Sequence, residues 1–192
     1  MKFRDARFLI IPVTVSFVLL SAMFNQAMAD KDRDPAVCTD KQDFNMRRLD
    51  SEQVENICET YQGKVLLVVN TASRCAYTDQ YADLEQLYAR YRDQGLEIAG
   101  FPSNDFANQE PGTESSIKSF CRLTYGVRFP MYAKTRVRGA SADPFYRALA
   151  EASGTEPRWN FHKYLLDREG RLVGSFGSST NPQGRIMIEA IE

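Results

Sequence analysis

A cysteine that follows a buried strand is the residue of this sequence best placed to do chemistry. Cys75 ends a short loop, 71–75, which comes after the continuous apolar run 64–70. The residues after it have helical spacing, so Cys75 lies between a strand and a helix, where open α/β folds place their sites. The free N–H groups and the positive dipole end of a helix favour the thiolate, which is the nucleophilic form of cysteine. The alternative is a small buried structural cysteine, and the loop position argues against it.

The chain has few residues that could support hydrolase, dithiol or metal chemistry. The sequence has four cysteines and one histidine, His162. No two cysteines form the C-x-x-C pair of zinc ribbons and thioredoxin dithiols. A Ser-His-Asp hydrolase would have to use His162, and a metal enzyme would lack ligands. We therefore expect no metal and no cofactor, and we interpret His162 as a partly exposed strand residue.

Strands and helices alternate in the order β-α-β-α-β-α-β-β-α. The run 64–70 predicts a strand buried on both faces, and 80–92 predicts an amphipathic helix that leads to a second strand at 96–101. This unit favours parallel pairing through a right-handed crossover. The remaining predicted elements are a helix from Thr113 to Gly126, a strand at 131–137, a helix at 143–152, a hairpin of 164–167 with 172–176, and a last helix opening at Asn181. The order predicts an α/β domain with a thioredoxin-like fold, a central mixed sheet flanked by helices.

The first 29 residues have the pattern of a cleaved secretory signal. Three basic residues precede an apolar run at 8–24, and Ala27-Met28-Ala29 provides a small-x-small cleavage site. The alternative is a retained anchor, but the run is marginal for a membrane span. The pattern predicts export to the periplasm or beyond the cell, with no stable membrane span after cleavage.

Composition places the rest of the chain among ordinary globular domains. Of the 192 residues, 43% are apolar and 26% are charged, and the formal net charge is −1. This balance gives no argument for a nucleic-acid partner. We expect a lead segment at 30–43 and a single domain at 44–192.

Three segments, in order, resemble the motifs of the glutathione peroxidase family. The first is Gly63-Lys-Val-Leu-Leu-Val-Val-Asn-Thr-Ala-Ser-Arg-Cys75, which is similar to the stretch that ends in the family's reactive cysteine or selenocysteine. The second is Phe101-Pro-Ser-Asn-Asp-Phe106 followed by Asn108-Gln-Glu-Pro-Gly112, and the third is Trp159-Asn-Phe161. The resemblance extends roughly from Phe44 to the C-terminus, and it implies a peroxidase of the cysteine-containing, non-seleno branch.

The resemblance implies a catalytic group of Cys75, Gln109, Trp159 and Asn160. Elementary chemistry supports this set, because a thiolate that attacks an O–O bond expels an alkoxide or hydroxide. The neutral N–H donors of the other three side chains can hold the thiolate and the developing charge without titrating. Taken singly, Trp159 would be interpreted as a core anchor, and Gln109 and Asn160 as solvated loop residues.

The sequence departs from the family pattern near these motifs. Ala76-Tyr77-Thr78 follows Cys75 where many members have Gly-Phe-Thr, Ser103 replaces a frequent cysteine, and Asp105 replaces a frequent glutamine. These departures concern the surroundings of the site and leave the reaction class unchanged. Thr78 also occupies the place of the second cysteine of a C-x-x-C, which counts against a thiol–disulfide oxidoreductase.

The other three cysteines also have predicted roles, one of them from the resemblance. Cys121, in Ser119-Phe-Cys-Arg, matches the resolving cysteine of the thioredoxin-dependent branch, which would condense with a sulfenic acid on Cys75. The alternative is that Cys121 only packs on an apolar helix face. Cys38 and Cys58 are two spare cysteines in a segment predicted to form an N-terminal hairpin and a turn, and in an exported chain they predict a structural disulfide.

The sequence leaves the electron donor open. The expected partners are a hydroperoxide substrate and, as reductant, a thioredoxin-like protein or glutathione. The short stretch 153–158 stands where tetrameric members carry an insertion, which points to a monomer. A redox sensor that passes oxidation from Cys75 to a partner would use the same residues, so it remains the alternative function.

Overall fold

The computed structural model describes residues 35–38 and 43–192, whose centre is a mixed four-stranded sheet. The strands are β1 (Asn45–Arg47), β2 (Val54–Asn56), β3 (Val65–Thr71), β4 (Leu96–Pro102), β5 (Lys163–Leu166) and β6 (Leu172–Phe176). The central sheet has the order β4–β3–β5–β6, with β3 and β4 parallel and both β5 and β6 joined antiparallel. β1 and β2 form a separate hairpin, as predicted for the N-terminal segment.

The helices are α1 (Ile57–Thr60), α2 (Gln80–Tyr91), α3 (Glu114–Tyr125), α4 (Pro144–Ser153) and α5 (Arg185–Ile191). Side chains cap the starts of α3 and α4. The Thr113 hydroxyl accepts the N–H of Ser116 at the start of α3, and the Asp143 carboxylate accepts the N–H of Phe145 at the start of α4. Gly126 ends α3 in the left-handed conformation that glycine adopts readily.

Two hydrophobic cores cover the two faces of the sheet. Alternate residues of β3 point to opposite faces, so Leu66 and Val68 belong to one core and Leu67 and Val69 to the other. The first core includes side chains of α1 and α4, and the second includes side chains of α2, α3 and α5. This double burial is why β3 is apolar at consecutive positions. The predicted mixed sheet flanked by helices is confirmed.

The prediction of a strand at 131–137 is wrong. In this segment Met131 makes a single parallel bridge to Gly100, and Tyr132 makes a single antiparallel bridge to Arg48. The segment divides its backbone hydrogen bonds between β4 and the β1 hairpin, because the N–H of Tyr132 donates to Gly100 and the N–H of Ala133 donates to Arg47. Because the segment bonds to both β4 and the β1 hairpin, it forms a continuous ladder of hydrogen bonds with neither of them.

The last helix also begins later than predicted. Residues 181–184 form a turn in which the Asn181 side chain accepts the N–H of Gln183, and Gly184 is the N-cap of α5. Asn181 and Pro182 therefore make the turn that leads into the helix.

The predicted signal segment, 1–29, lies outside the described residues. Within 35–38 and 43–192, no helix is long and apolar enough to cross a membrane.

Candidate active site

Cys75 lies in a tight turn between the end of β3 and the start of α2. Its N–H donates to the Thr78 hydroxyl (2.9 Å), and the N–H of Thr78 donates back to the Cys75 carbonyl (3.0 Å). The side chain of Cys75 is partly exposed, and its Sγ accepts the N–H of Tyr77 at 3.4 Å. This hydrogen bond helps to fix the position of the sulfur within the turn. Thr78, expected only as a departure from C-x-x-C, is the buried residue that shapes this turn.

Gln109 and Asn160, 51 positions apart in the sequence, are in contact. The Asn160 amide donates through Nδ2 to Oε1 of Gln109 at 2.9 Å, and Asn160 is fully buried. This hydrogen bond uses the oxygen of the Gln109 amide, and the Nε2 group of the same amide is still able to donate. The Gln109 carbonyl accepts the N–H of Arg74 at 3.1 Å. The polar pair is therefore tied through the backbone to the residue next to Cys75.

Trp159 is the partly exposed member of the predicted group, at 37% of its surface. Its ring packs against Phe106, with centroids 5.7 Å apart. The indole therefore packs partly on the protein and remains partly exposed at the surface.

Asn70 is a site residue that the sequence reasoning missed. It is a buried polar residue near the carboxyl end of the apolar strand β3, and its amide donates through Nδ2 to the Trp159 carbonyl (3.1 Å). Its Oδ1 accepts the N–H of His162, and its own carbonyl accepts the N–H of Phe161 at 2.6 Å. An asparagine inside the run Val-Val-Asn-Thr was the available signal, since a buried amide requires partners.

Phe161 has a left-handed backbone, with φ of +62°. A non-glycine residue in this region costs about 1–3 kcal/mol, which the surrounding contacts must offset. The Asn70 carbonyl holds its N–H, and Lys163 donates to its carbonyl at 2.8 Å. This turn sets the direction from which Trp159 and Asn160 enter the site.

The sheet topology explains why these loops meet. Cys75 follows the carboxyl end of β3, and Gln109 follows the carboxyl end of its parallel neighbour β4. Trp159 and Asn160 precede the amino end of β5, which is antiparallel to β3. All three loops therefore leave the same edge of the sheet.

A buried carboxylate lies beside this group. Glu110 is 1% exposed and accepts a hydrogen bond from the Ser73 hydroxyl at 3.1 Å. Burial raises the pKa of Glu110, although the Ser73 hydrogen bonds and the charges of Lys134 and Arg74 oppose this effect. The carboxylate fastens the Gln109 loop to the loop of Cys75.

Cys121 lies on the buried face of α3, in the second core, and is 2% exposed. Burial raises the pKa of its thiol to about 11. Cys121 is therefore a neutral thiol at neutral pH and is shielded from solvent while α3 is intact. Its predicted role as the resolving cysteine requires α3 to open.

The predicted disulfide between Cys38 and Cys58 is confirmed, with Cα atoms 5.3 Å apart. It joins the described part of the lead segment to α1. The N–H groups of Val37 and Cys38 both donate to the Gly170 carbonyl (3.0 Å), so the same segment also pairs with the turn before β6. Gly170 has φ of +74°, and a side chain there would collide with Cys38, so this close approach requires glycine.

Two sequence interpretations near the site need correction or completion. His162 is buried, not partly exposed, because its ring packs on Tyr164 (4.6 Å) and its Nε2 pairs with the Ser175 hydroxyl (2.9 Å). Burial is the main reason that its pKa falls to about 4, so it is neutral at physiological pH. Asp105, a departure from the family pattern, pairs with Arg136 at 2.9 Å and accepts the N–H of Val137.

Metal chemistry has no assembled ligand set in the described part of the chain. No group of three or more His, Cys, Asp or Glu side chains converges there.

The chain matches known proteins over most of its length. The model of the family described as "Glutathione peroxidase" matches residues 42–150. A glutathione peroxidase of Lactococcus lactis is 46% identical over 145 residues, which are 73% of this chain and 91% of the relative. A "hydroperoxy fatty acid reductase" of Synechocystis is 43% identical over 149 residues, 72% of this chain and 87% of the relative.

Solved structures support the fold. A thiol:disulfide interchange protein of the thioredoxin family from Chlorobium tepidum superimposes with a TM-score of 0.61, at 16% identity, over 83% of this chain and 98% of that one. At this identity the likeness concerns the fold alone, and it confirms the predicted thioredoxin-like domain. The sequence matches carry the assignment further, and by them the chain belongs to the glutathione peroxidase family of thiol peroxidases.

Proposed function

We propose that Cys75 is the peroxidatic residue and reduces hydrogen peroxide and organic hydroperoxides. The thiolate sulfur attacks one oxygen of the O–O bond, the S–O bond forms as the O–O bond breaks, and Cys75 becomes a sulfenic acid. The other oxygen leaves as hydroxide or alkoxide and takes a proton to give water or an alcohol. The observation that carries this proposal is the partly exposed Cys75 sulfur, held by the Tyr77 N–H in a loop tied to Gln109.

Gln109, Asn160 and Trp159 supply neutral donors around this reaction. The Asn160 side chain fixes the Gln109 amide through its oxygen, so the Gln109 Nε2 group can donate to the sulfur or to the departing oxygen. Donors that are oriented before the reaction lower its barrier because they need not reorganise as charge develops. A neutral His162 agrees with chemistry that uses no titrating base.

We further propose that Cys121 resolves the sulfenic acid. Its thiol attacks the Cys75 sulfur, an S–S bond forms, and the oxygen leaves as water. Among the cysteines, Cys38 and Cys58 are already joined, so Cys75 and Cys121 are the two free thiols. Because Cys121 is buried, α3 must unwind locally before the two sulfurs can meet.

A thioredoxin-like protein would then reduce the Cys75–Cys121 disulfide, with glutathione as the alternative donor. The Synechocystis relative named for hydroperoxy fatty acids supports organic hydroperoxides as substrates. We propose that the protein acts as an exported monomer, and the structural disulfide supports the exported location, since disulfides persist in oxidising compartments.

Steady-state turnover tests the proposal. Wild type, Cys121→Ser and Cys75→Ser are supplied with hydrogen peroxide or an organic hydroperoxide, and with either a thioredoxin-like protein or glutathione. We expect turnover by wild type with the protein donor, loss of that turnover in Cys121→Ser with overoxidised Cys75, and no turnover by Cys75→Ser. Equal activity of wild type and Cys121→Ser with the protein donor would contradict resolution by Cys121. If peroxide oxidises wild type once per molecule and neither reductant supports turnover, the alternative function as a redox sensor would be favoured.

A further inference from the structure

Lys163 is a buried cation that the chemistry described above does not use. It lies on β5 and is 0% exposed. Its ammonium group donates to Oε1 of Gln80 (2.6 Å), to the carbonyl of Phe161 (2.8 Å) and to the carbonyl of Thr180 (3.0 Å). An ammonium group has three donors, so these partners satisfy it completely.

All three acceptors are neutral, and none is a carboxylate. Burying a cation without an opposite charge is unfavourable, and desolvation lowers the pKa of Lys163 to about 7. An apolar residue at this strand position would avoid that cost. The hydrogen bonds must therefore do something for the molecule that apolar packing would not.

The three acceptors belong to three separate segments around the Cys75 site. Phe161 directly follows Asn160 in the loop that carries two of the proposed donors. Gln80 is the first residue of α2, the helix that follows the Cys75 turn, and its amide also donates to the Ser178 carbonyl at 2.7 Å. Thr180 lies in the connection between β6 and α5. One side chain thus joins the segment before β5 to the segment after Cys75.

The contact with Phe161 matters most, because Phe161 holds the left-handed turn. Its N–H donates to the Asn70 carbonyl and its carbonyl accepts from Lys163, so both backbone polar groups of Phe161 are held by buried partners. Without the ammonium group, the Phe161 carbonyl would be a buried acceptor with one partner fewer, and relaxing φ toward the usual region would turn Trp159 and Asn160 relative to β5.

We infer that Lys163 is a positioning residue, which acts through Phe161 and Gln80 to hold Trp159 and Asn160 in register with the Cys75 turn. This inference rests on the proposed function of those three residues. Lys163 does not touch the reacting sulfur in this scheme. It fixes the distance between two loops that must approach the same substrate, and in such sites a misplacement of about 1 Å can cost about 100-fold in rate.

The test compares Lys163→Met with Lys163→Arg. Methionine keeps the length and packing but has no donor, whereas arginine keeps the charge and several donors. The first readout is the single-turnover rate of Cys75 oxidation by hydrogen peroxide in stopped flow. The second is the emission of Trp159, the only tryptophan in the sequence, measured in the reduced proteins.

We expect Lys163→Met to slow oxidation about 10- to 100-fold and to shift the Trp159 emission, and Lys163→Arg to recover most of both. Alkylation of Cys75 by iodoacetamide should change less than about threefold, because the turn that holds the sulfur is intact. Wild-type oxidation and emission in Lys163→Met, or no recovery in a folded Lys163→Arg, would overturn the inference.

A matched control separates positioning from loss of stability. Tyr61→Phe removes a buried hydrogen bond, the 2.6 Å contact between the Tyr61 and Tyr132 hydroxyls. Tyr61 precedes β3 in the chain, whereas Cys75 follows β3, so the variant changes the other end of the strand. We expect this variant to lower the melting temperature and to leave oxidation and Trp159 emission unchanged. An equal loss of oxidation rate in Tyr61→Phe would show that Lys163 acts only through stability.

A milder variant covers the case in which Lys163→Met does not fold. Gln80→Met removes one acceptor of the ammonium group and should slow oxidation about threefold to tenfold in the same direction, and an unchanged rate would count against the inference. If the proposed function fails, wild type itself will not consume peroxide through Cys75. The Trp159 emission of the two Lys163 variants would still report whether Lys163 positions the loop.

Discussion

The cysteines that precede and follow β3 in the chain, Cys58 and Cys75, are in opposite chemical states. Before the strand, Cys58 is closed in a disulfide with Cys38, and after it Cys75 is a partly exposed free thiol near a core that holds Cys121. A strand of seven residues spans about 20 Å, so the closed pair and the free pair cannot exchange while the sheet is intact.

What differs between the ends is the surrounding backbone. At the amino end, the lead segment, α1 and the turn before β6 hold Cys38 and Cys58 close together, and the bond adds a covalent restraint to existing contacts. At the carboxyl end, three loops leave the same edge of the sheet, and hydrogen bonds join Asn160 to Gln109 and the Gln109 carbonyl to the N–H of Arg74, next to Cys75. Cysteine therefore forms a disulfide before β3, where the chain is closed on itself, and is a free, partly exposed thiol after β3, where we propose that it reacts with peroxide.

The largest effect should come from the free thiol. Cys75→Ser should abolish peroxide consumption, because a serine hydroxyl is not a comparable nucleophile at neutral pH. The measurement is peroxide loss with a reductant present, together with circular dichroism to show that the fold is kept. Consumption that persists in the purified variant would remove Cys75 from the reaction, and Cys38→Ser/Cys58→Ser should retain wild-type consumption.

The donors around the sulfur should come next. Gln109→Ala and Asn160→Ala should each slow Cys75 oxidation by about 100-fold, since loss of one oriented donor typically costs roughly 3 kcal/mol. Stopped-flow oxidation measures this. The matched control is Gln62→Ala, an exposed glutamine before β3, which should stay within twofold of wild type. Equal rates in all three variants would exclude Gln109 and Asn160 from the site.

At the other end of β3 the expected effect is on stability. Cys38→Ser/Cys58→Ser should lower the free energy of unfolding by roughly 3 kcal/mol, because the bridge closes a loop of 20 residues that the unfolded chain would otherwise leave open. Urea denaturation measures the change, and wild type unfolded in the presence of a strong reductant should give a similar midpoint. An unchanged urea midpoint would mean that the disulfide adds no stability beyond that of the backbone contacts. A loss of peroxidase activity together with the loss of stability would show that the two ends of β3 are coupled.

The smallest effect concerns the opening of α3. Thr113→Ala removes the N-cap and should destabilise this helix by about 1 kcal/mol, which would make the Cys75–Cys121 disulfide form about fivefold faster if local unwinding limits resolution. Quenched alkylation followed by mass spectrometry measures that rate. Asp143→Ala removes the equivalent cap from α4, which carries no cysteine, and should not accelerate it. Equal acceleration in both variants would point to general loosening.

The sequence by itself determined the elements and the chemistry of single residues. The apolar run of β3, the Thr113 cap and the helical spacing after Cys75 depend on neighbours within a few positions, so their periodicity is readable along the chain. The three motifs, and with them Cys75 as the candidate reactive cysteine, were also readable, because their residue types and order form a pattern. The disulfide followed from the number of cysteines left over.

Only the tertiary structure decided which distant residues meet. The bond between Asn160 and Gln109, the support that Asn70 and Lys163 give to Phe161, and the burial of His162 join positions that share no local pattern. The segment 131–137 shows the same limit, because its composition suits a strand while two different neighbours compete for its backbone. Hydrogen bonds between loops depend on how the sheet and helices pack, and packing is a property of the whole chain.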